Sequence, residues 1–410
     1  MYLSHLSLTN FRNYGRLELE LSSASTLLHG QNAQGKTNLL EAIYYLATTR
    51  SPHADYDYQL LNWEASESED PIVVGRLVAH LQTSDGERQL EMRLIQERNG
   101  RGRRKQGSFR REVLVDRRKV RLMDLLGNLR AVLFLPEDIQ LITGSPSERR
   151  RYLDITLCQI DTNYCRTVSN YNKVLEQRNA LLRQIADGES NRDVLPIFTE
   201  KLVTLGAKIF ARRAQFLSEI ARETHQVHYE SLTNGNETIR LQYLPRLTHH
   251  NGRREEDYEA YVSYGEWLQI EQTNIVTITE RLAKEMKEAE NNDLIRGTTS
   301  VGPHRDDWRF LINGRNLSSY GSRGQQRTAI LALKIAEINW MARATNDKPI
   351  LLLDEVVAEL DEQRRAALLQ TVSAADQALL TATDPGMFTS EFLNKATLLH
   401  VENGRVSTSL

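Results

Sequence analysis

The segment from Gly30 to Thr37 reads G-Q-N-A-Q-G-K-T and matches the phosphate-binding pattern G-x-x-x-x-G-K-[ST]. Glycines at the fixed positions let the backbone curl so that successive N–H groups face one anion. The lysine ammonium then reaches the β- and γ-phosphates of a nucleotide, and the hydroxyl that follows it is a ligand for Mg²⁺. We therefore predict an ATP site that includes Gly30, Gln31, Asn32, Ala33, Gln34, Gly35, Lys36, Thr37 and Asn38.

A second chemical element is the run Ile350-Leu351-Leu352-Leu353, which ends in the carboxylates Asp354 and Glu355. A buried strand delivers its last side chains to the edge of a sheet, where ligands bind in open α/β folds. Asp354 is predicted to hold Mg²⁺ with Thr37, and Glu355 to polarise the attacking water as a general base, with Lys36 as the second catalytic residue. Considered without the phosphate loop, the segment fits an ordinary strand that ends in an acidic loop as well as it fits a catalytic site. The phosphate loop favours the catalytic interpretation.

The elements that must position these residues come from both ends of the chain. An apolar segment at 25–29 precedes the loop, and a helical apolar period follows it to about Thr48. Lys36 and Asp354 lie near opposite ends, so a large insertion must separate the two halves of the site. We predict an α/β ATPase head whose N-terminal part is 1–140 and whose C-terminal part is 297–410. A mostly α-helical insert occupies 141–296.

The insert shows apolar residues every three or four positions. This spacing predicts one long helix from Ser145 to about Ile185, a second at about 196–230 and a third helical region at about 255–292. Cys158 and Cys165 fall on the first of these helices. Two helical turns would separate them by roughly 10 Å, which is too far for a disulfide bond.

Composition sets outer limits on function. The 410 residues have a formal net charge of −2, so binding to nucleic acid would require a local basic patch. No run of 18 apolar residues exists, and the first residues show no basic and apolar regions of a signal peptide. We expect a cytoplasmic protein with reduced thiols and no membrane partner.

The segment Ser322-Arg323-Gly324-Gln325 resembles the signature motif of ABC-type ATPases. It is also a helix N-terminus with a hydroxyl and a glycine amide, which suits a γ-phosphate. In the ABC family this motif acts on the nucleotide of the facing subunit, so the resemblance implies two heads that sandwich two ATP molecules. It also places Asp361 in the D-loop and Thr383 where transporters carry a switch histidine. The resemblance therefore predicts an ABC/SMC-type P-loop ATPase head as the fold class.

Further motifs, spread over nearly the whole chain, resemble the RecF family of SMC-related recombination mediators. They are Asn10-Phe11-Arg12-Asn13-Tyr14, the 132–138 segment, the 149–154 segment, the 171–179 segment and Gly302-Pro303-His304-Arg305-Asp306-Asp307. The resemblance implies an ATP-dependent homodimer on DNA, released by slow, DNA-stimulated ATP hydrolysis. It also implies cooperation with RecR and RecO in loading RecA at single-strand gaps. Arg12 is placed beside the nucleotide, and the Q-loop at Glu137, Asp138 or Gln140.

A basic segment from Arg98 to Arg121 holds eleven lysines and arginines against two acids. Few aromatic residues are interleaved, which favours sequence-independent contact with the backbone of double-stranded DNA and ss/ds junctions over base stacking. The alternative is a solvated hairpin tip with structural ion pairs. The predicted DNA contacts are Arg101, Arg103, Arg104, Lys105, Arg110, Arg111, Arg149, Arg150 and Arg151.

Four other classes of protein share parts of this pattern. An ABC transporter subunit would need a membrane partner, and a structural SMC protein would need a far longer insert of sustained heptads. A kinase would need an acceptor site, for which the sequence gives no sign. A nucleotide-gated structural DNA clamp of SMC type with negligible turnover is the remaining alternative, and Glu355 argues against it because a pure clamp has no need of a base.

Overall fold

The computed structural model of the chain describes residues 1–83, 86–97, 108–248, 254–270 and 274–408. The strands are β1 (Tyr2–Phe11), β2 (Tyr14–Glu20), β3 (Ser25–His29), β4 (Ile72–Thr83), β5 (Gly86–Glu97), β6 (Ser108–Val115), β7 (Arg118–Val120), β8 (Ala131–Phe134), β9 (Ile239–Leu244), β10 (Asp307–Ile312), β11 (Arg315–Asn316), β12 (Ile350–Asp354), β13 (Ala378–Ala382), β14 (Thr397–Glu402) and β15 (Arg405–Thr408). The helices are α1 (Lys36–Thr48), α2 (Trp63–Glu67), α3 (Leu122–Leu125), α4 (Gln140–Thr143), α5 (Pro146–Cys158), α6 (Thr162–Ala186), α7 (Leu195–Gln226), α8 (Arg254–Ile270), α9 (Ile275–Arg296), α10 (Leu317–Tyr320), α11 (Arg323–Thr345), α12 (Glu362–Ala374) and α13 (Ser390–Lys395).

Contacts divide the chain into a first unit, Met1–Asp138 with Glu337–Leu410, and a second unit, Ile139–Ala336. The described residues of the first unit form two sheets. One is antiparallel in the order β2-β1-β4-β5-β6-β7, and the other has the order β15-β14-β3-β13-β12-β8. In the second sheet all neighbouring strands are parallel except β14 and β15. Because β3, β13 and β12 are parallel neighbours, their carboxyl ends meet at one edge, and residues from both ends of the chain are brought together there.

The core of the first unit is built around α1. The apolar positions that predict this helix are Leu39, Leu40, Ile43, Tyr44 and Leu46, and all but the partly buried Tyr44 are buried. They pack in one cluster with residues of both sheets. Burial of this amphipathic helix fixes the position of its N-terminus, where the phosphate loop ends.

The second unit consists of helices and the small sheet β11-β10-β9. The contact-based division places residues 297–336 in this unit, whereas the predicted division counts them with the C-terminal part of the head. The reason is that β10 pairs with β9 at six positions from Asp307 to Ile312. In addition, the fully buried indole of Trp308 donates a hydrogen bond to the backbone oxygen of Arg149 at 3.1 Å. Sequence periodicity cannot show such a nonlocal pairing.

The first predicted helix is two helices, α5 and α6, because the chain breaks between Cys158 and Thr162. The Asp161 side chain accepts a hydrogen bond from Tyr164 N at 2.8 Å and so caps α6. The predicted separation of the two cysteines was therefore wrong. Neither Cys158 nor Cys165 forms a disulfide bond, and hydrogen bonding to Cys165, followed by burial, raises the pKa of the Cys158 thiol.

The third predicted helical region is also divided, into α8 and α9. Asn274 caps α9 by accepting a hydrogen bond from Val276 N at 3.0 Å. Among the helices of the described ranges, none combines the length and apolar character that crossing a lipid bilayer requires.

Candidate functional site

The phosphate loop lies between the end of β3 and the start of α1, as its pattern predicts. Its two pattern glycines have positive φ angles, 147° at Gly30 and 114° at Gly35. A Cβ atom at Gly30 would lie 2.3 Å from the backbone oxygen of Val401, and one at Gly35 would lie 2.5 Å from the Asn13 side chain. Glycine is therefore required at both positions for backbone conformation and for space.

The turn after β1 braces this loop. Asn13 Nδ2 donates to Gln34 O at 2.9 Å, and Asn38 Nδ2 donates to Asn13 Oδ1 at 2.8 Å. The Tyr14 hydroxyl donates to Gly35 O at 2.9 Å. The predicted ATP residues Gln34 and Asn38 are thus held in place by Asn13, whose supporting role sequence reasoning missed. The nearby motif Asn10-Phe11-Arg12-Asn13-Tyr14 was the available signal.

Lys36 lies under the loop with its side chain 3% exposed. Its ammonium donates to the backbone oxygens of Gly30 at 2.8 Å and Gln31 at 2.9 Å. Its Nζ also lies 3.3 Å from Oε1 of Glu355. The two predicted catalytic residues, Lys36 and Glu355, are therefore in contact although they are far apart in sequence. The N–H groups of the Lys36 ammonium can bind an anion in the loop in place of these backbone oxygens.

Thr37 and Asp354, the predicted magnesium ligands, are in direct contact. The Thr37 hydroxyl lies 3.0 and 2.8 Å from the two carboxylate oxygens of Asp354. Thr381, at the end of β13, donates to Asp354 Oδ1 at 2.7 Å and fixes the carboxylate from the other side. Hydroxyl and carboxylate oxygens are the donors that Mg²⁺ prefers, so these residues fit the ion.

Glu355 has a left-handed backbone with φ of 53°. Its amide donates to the Thr381 hydroxyl at 2.9 Å, and its side chain remains 39% exposed. A non-glycine residue in this conformation is strained, and such strain is typical of functional sites. Glu355 also lines a small recess together with Thr383, the predicted switch residue. The structure thus brings the predicted base and switch to one place.

Arg12, which the resemblance places beside the nucleotide, also has partners within the protein. Its guanidinium binds the buried carboxylate of Glu41 through two hydrogen bonds of 2.7 and 2.8 Å. It also donates to the backbone oxygen of Gln59 at 3.2 Å. Direct contact between Arg12 and the nucleotide stays a prediction. An acidic residue inside the apolar pattern of α1 was a signal for this ion pair.

The signature segment lies in the second unit and begins α11. Ser322 and Gln325 form a reciprocal cap: Gln325 N donates to Ser322 Oγ at 3.2 Å, and Ser322 N donates to Gln325 Oε1 at 2.9 Å. A Cβ atom at Gly324 would meet only Ser322 Oγ, at 3.9 Å. Because nothing in the described part of the chain crowds this position, packing does not account for the glycine. Asp361, the predicted D-loop residue, caps α12 by accepting from Arg364 N at 3.0 Å.

The predicted Q-loop residues occur where the first unit gives way to the second. Asp138 is the last residue of the first segment, and its carboxylate accepts from Leu135 N at 2.8 Å. Glu137 precedes it, and Gln140 begins α4 in the second unit. The identity of the Q-loop residue stays a prediction.

Only part of the basic segment from Arg98 to Arg121 lies within the described residues. Arg110 pairs with Glu97 at 3.3 Å and also with Glu112. Arg111 is held by Asp57 at 3.0 Å and donates to the Thr49 backbone oxygen at 3.2 Å. Arg111 is therefore paired with a carboxylate inside the first unit, so its guanidinium is less available to bind a DNA phosphate. The remaining predicted contacts of the hairpin lie outside the described residues: Arg101, Arg103, Arg104 and Lys105.

The three arginines at the start of α5 differ in their surroundings. Arg149 is buried and makes two hydrogen bonds to Asp307, of 2.6 and 3.0 Å. Arg150 donates to the backbone oxygen of Asp306 at 2.6 Å. Arg151 is exposed. The ion pair with Asp307 removes Arg149 from the set of plausible phosphate contacts, because breaking it would leave a buried charge unpaired.

His304, in the Gly302–Asp307 motif, is partly buried in the second unit. Its Nδ1 accepts from the Tyr171 hydroxyl at 2.7 Å, and its Nε2 donates to Thr299 O at 3.0 Å. Burial lowers the pKa of His304 to about 4. Protonation therefore favours the unfolded chain, whose histidine has a pKa near 6.5.

We expect this histidine to make folding depend on pH. As pH falls from about 6.5 to 4, the unfolding free energy should drop by ~2–3 kcal/mol on account of His304. Urea unfolding at several pH values measures this slope, and His304→Gln should flatten it. His53→Gln, which changes an exposed histidine, is the control. Equal slopes in the two variants would contradict the assignment.

The parallel sheet edge, the phosphate loop, the facing carboxylates and the capped signature helix define an ATPase head of the ABC/SMC class. The family model described as "RecF/RecN/SMC N terminal domain" matches residues 2–407. "DNA replication and repair protein RecF" of Chloroflexus aurantiacus is 40% identical and that of Roseiflexus castenholzii 38%, each alignment covering 99% of both chains. The chain belongs to the RecF family.

Solved structures agree with this assignment. The structure of the "recombination mediator protein RecF-ATP in RecFOR pathway" has a TM-score of 0.82 and 30% identity, covering 100% of this chain and 98% of that one. The Smc head bound to the C-winged helix domain of ScpA has a TM-score of 0.52 at 14% identity and shares the fold alone.

Proposed function

We propose that this protein is an ATP hydrolase of recombinational DNA repair and replication restart, two copies of which close on ATP and DNA. The observation that carries the proposal is the contact of Thr37 with Asp354 beside that of Lys36 with Glu355. This constellation unites the two ends of the chain around one phosphate-binding loop. The ATP-bound RecF structures among its relatives support the choice of nucleotide.

The chemistry follows from these four side chains. Lys36 exchanges the backbone oxygens of Gly30 and Gln31 for phosphate oxygens. Thr37 and Asp354 would hold Mg²⁺, and the ion would supply positive charge to offset that of the phosphates. Glu355 accepts the proton of the attacking water. Since Glu355 must first leave Lys36, we expect slow hydrolysis that resets the dimer and is stimulated by DNA.

The second half of each ATP site comes from the facing copy. Ser322 is exposed, and the space over Gly324 is open to an incoming phosphate. The N-terminus of the 23-residue helix α11 points partial positive charge at that space. Gln325, Asp361 and Thr383 are assigned to the same composite site. The nucleotide thereby becomes the link between two copies.

The DNA role extends this arrangement. Its relatives carry the names "DNA replication and repair protein RecF" and "recombination mediator protein" of the RecFOR pathway. We assign double-stranded DNA and ss/ds junctions as ligands, bound through their backbones, and RecR with RecO as partners in loading RecA. Arg101, Arg103, Arg104, Lys105, Arg110, Arg150 and Arg151 remain the candidate contacts.

The DNA assignment predicts a change in salt dependence. Replacing Arg103, Arg104 and Lys105 together with alanine should weaken duplex binding at least tenfold at physiological salt. The slope of log affinity against log salt concentration should also become less steep, because a protein with fewer phosphate contacts releases fewer counterions from the DNA when it binds. Fluorescence anisotropy with ATP and a labelled duplex measures both quantities. The matched control removes three exposed lysines of the second unit, Lys201, Lys208 and Lys287. If the triple variant of Arg103, Arg104 and Lys105 kept the affinity and the salt slope of the wild type, these three residues would not be DNA contacts.

A further inference from the structure

We propose that the short segment 56–63 of the first unit, whose exposed rings Tyr56, Tyr58 and Trp63 are called the aromatic patch, docks a partner protein. The partner segment is one in which arginine or lysine alternates with apolar side chains. The nucleotide and DNA sites use none of these residues. The aromatic patch is therefore a protein-binding surface that is independent of ATP chemistry.

The patch exposes an unusual amount of aromatic surface. Tyr56 is 62% exposed, Tyr58 50% and Trp63 78%. The two tyrosine rings stack with centroids 5.6 Å apart and an interplanar angle of 16°. Clustered exposed aromatics mark interaction sites, and tryptophan and tyrosine dominate the energetics of protein interfaces.

The fold holds this segment in a fixed position instead of burying its rings. Arg12 N donates to Leu60 O at 2.8 Å, and Asn62 N donates to Asn10 O at 3.0 Å. Leu60 and Leu61, between the exposed rings, are buried in the core of the first unit. The patch is thus anchored on both sides by its own backbone. Such pre-organisation lowers the entropic cost of binding.

Asp57 adds a side-chain anchor. Its carboxylate accepts from the Tyr45 hydroxyl at 2.9 Å and lies 3.0 Å from the Arg111 guanidinium. This explains why Arg111 is turned toward the interior of the first unit. The same contact keeps the backbone between Tyr56 and Tyr58 in place, so the stacked rings have a rigid base.

The charge around the patch selects the partner. Residues 51–75 contain six carboxylates and neither lysine nor arginine. Asp55, Glu64 and Glu67 are exposed and lie within four residues of the aromatic residues in the sequence. Carboxylates repel nucleic acid phosphates, whereas they attract a cationic peptide whose guanidinium groups also stack on aromatic faces. The occupant we infer is accordingly a basic, partly apolar protein segment and not DNA.

The test uses the full-length protein and a labelled synthetic peptide of repeated Arg-Leu-Arg-Phe, titrated by fluorescence anisotropy at physiological salt. Wild type should bind it at least tenfold more tightly than the Tyr58→Ala/Trp63→Ala variant, which loses rings but no charge. The Asp55→Lys/Glu67→Lys variant should lose a similar factor. A repeated Arg-Ser peptide should bind weakly, because it offers charge without apolar anchors.

The matched control is Tyr229→Ala, which removes an exposed aromatic ring of the second unit and should leave the affinity unchanged. Equal peptide affinity of wild type and both patch variants would overturn the proposal. It would also be overturned if the patch variants instead lost binding to single-stranded oligothymidine. Loss of concentration-dependent self-association, without a change in peptide binding, would assign the patch to a second copy of the chain and reject the inferred occupant.

Discussion

Replacement of Glu355 by glutamine is expected to reduce the turnover number for ATP hydrolysis by about 10²–10⁴-fold, the usual contribution of a general base. Glutamine has nearly the same shape but cannot accept the proton of the attacking water. ATP binding should persist, since the phosphate loop and Lys36 are unchanged. With hydrolysis blocked, the ATP-bound dimer should accumulate.

Two assays on the same preparation test this expectation: phosphate release, and equilibrium binding of a labelled ATP analogue. Glu362→Gln removes an exposed carboxylate in the first turn of α12 and is the control, with expected turnover near wild type. A Glu355→Gln protein that hydrolyses ATP at the normal rate and remains monomeric would contradict the role of Glu355 as the base.

Replacement of Ser322 by arginine should abolish ATP-dependent dimerisation while each monomer still binds nucleotide. The hydroxyl lies at the exposed start of α11, beside the open space over Gly324. A guanidinium side chain would fill the volume that the proposal reserves for the nucleotide of the facing copy. Sedimentation velocity with ATP and Mg²⁺, in the Glu355→Gln background, measures the dimer.

Two control variants separate this effect from simple loss of a helix cap. Ser322→Ala loses the same cap, at a cost of ~1 kcal/mol, without adding bulk, so it should dimerise more readily than the arginine variant. Ser373→Arg introduces the same side chain at an exposed position of α12 and should dimerise normally. If Ser322→Arg abolished nucleotide binding by the monomer, Ser322 would not be a residue that acts on the partner's site.

The nucleotide site could be predicted because its chemistry is local in sequence. A glycine-rich loop between a strand and a helix has few alternative uses, and an apolar strand ending in two carboxylates complements it. The parallel order β3-β13-β12 then places both motifs at one sheet edge. Thr381 was missed since a threonine at the end of an apolar strand carries no distinctive pattern.

Some predicted boundaries differ from the structure because the sequence pattern continues unchanged across them. The apolar period runs through Gln159 and Ile160, so it could not show that Asp161 caps a new helix. The predicted division at residue 297 differs from the contact-based division because β10 pairs with β9, which lies far away in sequence. Both differences concern contacts that only the folded chain defines.

The arginines show a second limit of sequence reasoning. A count of basic residues cannot distinguish a solvated cation from one that is paired inside the fold. Arg12, Arg111 and Arg149 each bind a carboxylate that is distant in sequence. Those partners are Glu41, Asp57 and Asp307.

The central claim is that ATP joins two copies of this chain, and the most direct measurement is the solution mass by multi-angle light scattering. We predict 47.0 kDa without nucleotide and twice that mass with ATP and Mg²⁺, with duplex DNA favouring the dimer further. The Ser322→Arg protein should remain at the monomer mass under all conditions. A mass that does not respond to nucleotide would contradict the two-copy mechanism, although an ATP site in each monomer would remain.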